Sequence, residues 1–226
     1  MTGSLVITGG GLAAVAVAAI LWRRRRTLAI RGQWARRQGW TPHAGRTDDL
    51  LSALSDCALT QVGHSRRIPL ALTAKGRLHF LSYVCETGFE RRCQSHHWIV
   101  AAQATEHACG RATITSQDWL IAAAWAPTCH ELPVRRSAPD ASTAALPPVG
   151  SGPIAVVEDS EEWTARLDSP MRQWFLEQPA DRSWEIIPGF IIGYEPGQPN
   201  EAGLVALGRA TEALAEQLEF GRIGSH

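Results

Sequence analysis

The sequence predicts an α+β fold, with an N-terminal transmembrane helix followed by an antiparallel-sheet domain packed with helices. Three observations predict it. Residues Leu5–Trp22 carry no charge and are followed at once by Arg23–Arg26. Residues 68–102 read as successive strands separated by Lys75-Gly76 and Thr87-Gly88 turn signals. Near the carboxyl end, Leu204, Leu207, Thr211, Leu214 and Leu218 recur at three- and four-residue steps, the apolar stripe of one helix.

The first element is the membrane segment, LVITGGGLAAVAVAAILW. About 18 residues at roughly 1.5 Å each make about 27 Å of helix, close to a hydrocarbon core of roughly 30 Å. A secretory signal carries its positive charge before the apolar stretch. Here the order is reversed, and the positive-inside rule keeps the arginine flank in the cytoplasm and sends the short N-terminus outward. The membrane-interface residues are then Trp22, Arg23, Arg24, Arg25 and Arg26. An indole belongs at the headgroup level, and clustered guanidinium groups attract anionic lipid. Gly10 and Ala14 have the spacing that lets a second membrane helix approach. An Ala-rich anchor with no special face is the simpler reading.

A short helix is expected over 27–38, closed by Gly39. Thr47, with Asp48 and Asp49 in the first turn, opens another, whose apolar stripe is Leu50, Leu51 and Leu54. Strands are expected at 59–64, 68–74 and 77–86. Arg77–Val84 and Cys93–Ala102 read as the two arms of one hairpin. The second arm contains HWIVAA, apolar on both faces, which marks a buried central strand. Residues 111–115 suit a strand, and 119–125 a strand or a short helix. Pro133–Pro153 is rich in Pro, Ala, Ser and Gly and reads as a linker or long loop. Beyond it follow a strand at Ile154–Val157, a helix from Ser169 and Pro170 to Glu177, strand material over Trp184–Tyr194 bent at Pro188-Gly189, and the striped helix over 200–218. The chain thus divides into 1–26 (anchor and basic flank), 27–132 (helix plus antiparallel β region), 133–153 (linker or loop) and 154–226 (strand-helix-strand-helix).

These pieces resemble a family of bacterial single-pass membrane proteins, mainly actinobacterial, that have no assigned activity. The resemblance is carried by RRRRTLAIRGQWARRQGW, by LHFLSYVCETGFERRCQSHHWIVAA and by DSEEWTARLDSPMRQWFLEQ, with the closing strand and helix. It implies an N-terminal anchor and a cytoplasmic α+β domain. It implies no catalytic or binding residue.

Lys and Arg together number 22, as do Asp and Glu. A balanced charge argues against a nucleic-acid binder, which normally carries a large basic excess. The five cysteines are odd in number and form no CxxC, which suits reduced thiols in a cytoplasmic domain. Cys85, Cys93 and His96 are weak metal candidates, with His97, His107 and Cys109 nearby. Cys85 and Cys93 are placed to face one another across the hairpin turn. Their spacing matches no tight zinc pattern, and neighbouring histidines on a strand point to opposite faces, so no metal and no cofactor are expected.

No catalytic residue is expected either. There is no GxSxG elbow. His64-Ser65 reads as an accidental pair, and Gly9–Gly11 lie inside the apolar segment. Glu158, Asp159, Glu161 and Glu162 read as a solvated strand-to-helix loop. Trp119, Trp125, Trp163, Trp174 and Trp184 are expected to anchor the core. The expected function is a membrane-anchored, non-enzymatic binding or assembly module, an accessory subunit of a membrane complex, with membrane lipid and a protein partner as its contacts. The alternative is a small-ligand or lipid-sensing cytoplasmic domain, and an enzyme with an unrecognised site ranks third. A concave apolar pocket with convergent polar groups favours the ligand reading. A flat exposed aromatic patch rimmed by arginine favours a protein partner.

Overall fold

The computed structural model describes residues 19, 22, 26, 29–74, 77–88, 92–106, 110–124, 129–134 and 153–220. The chain forms two units, Met1–Pro42 and His43–His226. In the first, residues 29–38 form helix α1. Gly39, at φ +67°, ends it as expected, with the Trp40 N–H donating to the Ala35 carbonyl oxygen at 2.8 Å. That six-to-one bond is the Schellman closure, which needs a left-handed residue. Strand β1 (Thr41–Pro42) closes this unit.

The expected membrane span Leu5–Trp22 falls almost wholly outside the described residues, as do Arg23, Arg24 and Arg25. Among the described residues no helix is long and apolar enough to cross a membrane. Trp22 and Arg26 are described, and the guanidinium carbon of Arg26 stands 5.4 Å from the centre of the Trp22 ring. Residues 135–152 of the expected linker, and Cys109 and His107, are likewise outside the described residues.

The unit His43–His226 contains eight strands of an antiparallel sheet. These are β2 (His64–Ala74), β3 (Leu78–Thr87), β4 (Gln94–Ala104), β5 (Ala112–Thr115), β6 (His130–Pro133), β7 (Ile154–Val157), β8 (Ser183–Ile187) and β9 (Phe190–Pro196). Their spatial order is β2-β3-β4-β9-β8-β5-β7-β6. The β3–β4 hairpin is paired from Leu78↔Gln103 to Thr87↔Gln94. Trp98 to Ala102 are all buried, so β4 is the central strand its apolar run predicts. β8 and β9 turn back on each other at Pro188-Gly189, where Gly189 takes φ +82°. This late hairpin inserts between β4 and β5, so segments from both sides of the Pro-rich stretch build one sheet.

Helices α2 (Thr47–Ala53), α3 (Ala58–Gln61) and α4 (Asp118–Ala124) lie on one side of the sheet, α6 (Ser169–Glu177) and α7 (Glu201–Phe220) on the other, and α5 (Ser160–Arg166) stands between β7 and α6 in chain order. Strand alternation sorts the side chains. Leu81, Tyr83, Trp98, Val100, Ile192 and Tyr194 face Leu54, Cys57 and Leu59 in one cluster. Phe80, Ile99, Gly193 and Trp184 face the opposite way. The stripe Leu204, Leu207, Thr211, Leu214 and Leu218 is buried throughout, as expected.

Two expected elements differ. Residues 59–64 are not a strand: α3 occupies Ala58–Gln61 and Gly63 turns the chain at φ +76° into β2. Residues 158–162 are not simply a solvated loop. Asp159 caps α5 by accepting from the Glu162 N–H, a first-turn arrangement that satisfies an orphan amide. Strand β6 was not legible in the sequence, and it pairs with β7.

Gly193 is required by packing. A Cβ there would lie 2.6 Å from Trp184 Cζ3 and 2.9 Å from Thr211 Oγ1. Gly193→Ala is expected to cost about 1–3 kcal/mol through overpacking against Trp184 and Thr211. The urea midpoint checks it, and an unchanged midpoint would show that α7 shifts without penalty.

Candidate functional site

On the α3 side of the sheet, β8 places a carboxylate inside the protein. Trp184 and Ile186 point toward α6 and α7, so Glu185 must point the other way. It is 1% exposed. Its oxygens accept from the Ala58 N–H at 2.6 Å, the Leu59 N–H at 3.1 Å and the Tyr194 hydroxyl at 2.7 Å. Cys57, the residue that precedes α3, is buried in the same cluster as Tyr194. Two of the three donors to Glu185 are the orphan amides that open α3, which explains why a four-residue helix forms there. Burial raises the Glu185 pKa, and the bonds from Tyr194, Ala58 and Leu59 oppose that rise without cancelling it. Burial, then the nearby Glu185 charge, pushes the Cys57 thiol well up, so it stays protonated and unreactive.

A cleft of about 220 Å³ opens beside this carboxylate. At its rim Arg111 meets Asp56 at 2.6 Å and Glu158 at 3.7 Å. Cys129 lines it and turns its Sγ to the Ala124 carbonyl oxygen at 3.9 Å. A carboxylate offers about four acceptor positions, and three donors already occupy those of Glu185, two of them from α3. The rim cation is paired as well. This cleft is therefore built to hold α3 on the sheet.

The second cleft, of about 360 Å³, lies on the other side of the sheet. Asp168 starts α6 by accepting from the Met171 N–H at 2.9 Å, with Pro170 in the first turn. α6 then lays Trp174 against Trp184, ring centres 5.1 Å apart. Ile114, Phe175, Leu176 and Trp184 supply apolar walls. At the rim, Arg182 donates twice to Glu195 Oε2, at 3.0 and 2.8 Å, and once to Gln178. Ser116 donates to the Ala180 carbonyl oxygen. The Trp184 Nε1–H is buried and has no hydrogen-bond partner among the described residues.

The candidates singled out in the sequence do not converge. Cys85 pairs across the hairpin with His96, whose Nε2 lies 2.7 Å from Thr87 Oγ1. Cys93 is exposed, and its Sγ approaches Glu86 Oε2 at 3.7 Å. Glu86 points to the opposite face from Cys85, so the two thiols do not face one another as expected. His96 and His97 do divide between the faces, opposite Cys85 and Val84. Among the described residues no group of three His, Cys, Asp or Glu could hold a metal ion. His64 Nε2 lies 2.7 Å from the Gly88 carbonyl oxygen, which leaves the His64-Ser65 pair a turn contact. Trp163 and Trp184 are core anchors.

Sequence reasoning missed Glu185. A charge between Trp184 and Ile186 reads as the solvent side of a half-buried strand. The available signal was parity: Glu185 shares its face with Ile187, and the other face, Trp184 and Ile186, is apolar, so the strand lies between two packed layers.

Fold and clefts together define an α+β domain with a capped internal carboxylate and a separate apolar cavity. No family model, curated protein or solved structure matches the chain.

Proposed function

We propose that the protein is a membrane-anchored, non-enzymatic binding module whose cytoplasmic domain takes up a small ligand. The observation that supports this most is the cavity beside α6, with apolar walls from Ile114, Phe175, Leu176 and Trp184 and polar groups of Ser116, Gln178 and Arg182 at its rim. Apolar walls with a few fixed polar groups are the usual construction of a small-molecule site. Among the described residues the exposed large hydrophobic side chains are Trp22 and Ile30, both in the N-terminal unit. No flat aromatic patch of the kind a protein partner needs is described in the larger unit. The anchor reading rests on the apolar run and the arginine flank.

Assembly with a membrane complex is the second reading. Exposed Trp22 and Ile30 favour it, as apolar groups for lipid or a neighbouring helix. One preparation separates the two. The full chain is extracted gently from membranes, and the purified material is analysed by mass spectrometry for small molecules in an organic extract and for crosslinked proteins. A stoichiometric small molecule supports the ligand module. A stoichiometric protein with no small molecule overturns it. A reporter at the carboxyl end is expected inside the cell, and its export would overturn the topology.

A further inference from the structure

The charge balance of the whole chain hides a division along it. The unit Met1–Pro42 holds seven arginines and no acidic residue, a net +7. Residues 43–226 hold 15 basic side chains against 22 acidic ones, a net −7. A sign asymmetry of this kind between segments marks a surface for an anionic partner. We propose that helix α1 lies along an anionic bilayer surface, with Trp22, Arg26, Ile30 and Arg36 as its contact face. This rests on the anchor part of the reading above and adds to it. Spanning the membrane requires only the arginines that follow the apolar run at once, and places nothing on α1.

Helical spacing selects the face. Ala35 of α1 is buried, and Arg31 and Trp34 are half-buried. Ala29, Ile30, Gln33, Arg36 and Arg37 are exposed. At about 100° per residue those five fall within one sector of about 120°. Trp22 and Arg26, also helical and exposed, continue the same three- and four-residue steps. The Arg26 guanidinium carbon stands 5.4 Å from the centre of the Trp22 ring, so charge and indole share one level. Both exposed large hydrophobic side chains among the described residues, Trp22 and Ile30, lie on this face.

Charge and apolar surface together choose the partner. Guanidinium groups alone suit nucleic acid as well as lipid. Trp22 and Ile30 gain little from a phosphate backbone, whereas the headgroup layer takes both toward the acyl chains while the arginines meet phosphate. Length then fixes the posture. A helix standing upright on the membrane would carry Arg36 about 21 Å past Trp22, and the headgroup layer is only about 5–8 Å deep. Ile30 and Arg36 reach lipid when α1 runs along the surface.

Lipid discs test this with the full chain. The discs are neutral phosphatidylcholine, or the same lipid with about one-third phosphatidylglycerol as the anionic component. A benzoylphenylalanine photocrosslinker replaces Gln33, the centre of the face. Crosslinking to lipid is expected to rise about tenfold with the anionic lipid at low salt, and to fall back at about 0.5 M salt, where exposed charges are screened. Arg36→Gln is expected to lower it roughly fivefold, the weight of one basic side chain near an anionic surface. Arg36→Lys, which keeps the charge, is expected to preserve it. Equal yields in the two kinds of disc, or an unchanged yield in Arg36→Gln, overturns the proposal. Transfer of the crosslink from lipid to added duplex DNA overturns it in favour of nucleic acid. A chain that enters the discs yet fails these tests keeps its anchor and loses only the surface contact. A chain that stays outside them overturns the anchor reading and this one together.

Discussion

Glu185→Ala is expected to remove about 3–5 kcal/mol of stability, because buried donors left without an acceptor cost roughly 1–3 kcal/mol each. The Ala58 and Leu59 amides and the Tyr194 hydroxyl all lose their partner at once. Helix α3 then has no reason to stay docked, since its opening amides are what the carboxylate holds. Against a typical total of about 5–15 kcal/mol, the variant sits near the edge of unfolding. The midpoint of urea denaturation measures it. A shift under about 1 kcal/mol would show that water replaces the carboxylate freely.

Glu185→Gln separates the hydrogen bonds from the charge. The amide keeps one acceptor oxygen and costs less. The folded-state pKa of Glu185 is raised, first by burial, above its ordinary 4.5. The native state therefore binds more protons than the unfolded state between 4.5 and the raised value. Stability falls as pH rises through that window, since the slope follows the difference in bound protons. The contribution is fully present below 4.5 and is lost above the folded-state pKa. Glu185→Gln is expected to abolish this component of the pH profile, and an unchanged profile would place it on other groups.

Much of the fold was legible because its strongest signals are periodic. The β3–β4 hairpin, the central position of β4 and the buried stripe of α7 follow from spacing alone. So does the closure of α1 at Gly39, where one residue type meets one backbone need. Three things were not legible. α3 is held by a tertiary contact with Glu185, 127 residues from Ala58, and its apolar residues suit a strand equally well. The insertion of β8–β9 between β4 and β5 is a matter of strand order, which local pattern does not encode. The cavity lies between α6 and the sheet, and its walls come from Ile114 of β5, Phe175 of α6 and Trp184 of β8, which sequence spacing does not bring together. Cys85 and Cys93 drew attention by chemistry, yet strand parity places them on different faces, a one-residue distinction that decides whether thiols meet.

Trp163→Ala is the second large effect, expected at about 3–5 kcal/mol, the usual loss for a fully buried large aromatic. Trp163 is 0% exposed. Its Nε1–H donates to the Gly110 carbonyl oxygen at 3.0 Å. The adjacent Glu162 accepts from the Gly110 N–H, also at 3.0 Å, and takes Arg166 Nε at 2.8 Å. Two consecutive residues of α5 thus satisfy both backbone polar groups of one residue just ahead of β5. Truncating the indole opens a cavity and orphans that carbonyl in the same step. Trp163→Phe keeps most of the burial and loses the donor, so about 1–2 kcal/mol is expected. Glu162→Gln retains an acceptor for Gly110 and should change stability by less than about 1 kcal/mol. If Trp163→Phe proved as damaging as Trp163→Ala, the hydrogen bond to Gly110 would outweigh the packing, and the clamp on β5 would be polar in origin. The expected order, alanine well below phenylalanine and phenylalanine below the unaltered chain, assigns most of the clamp to burial and the remainder to the single N–H.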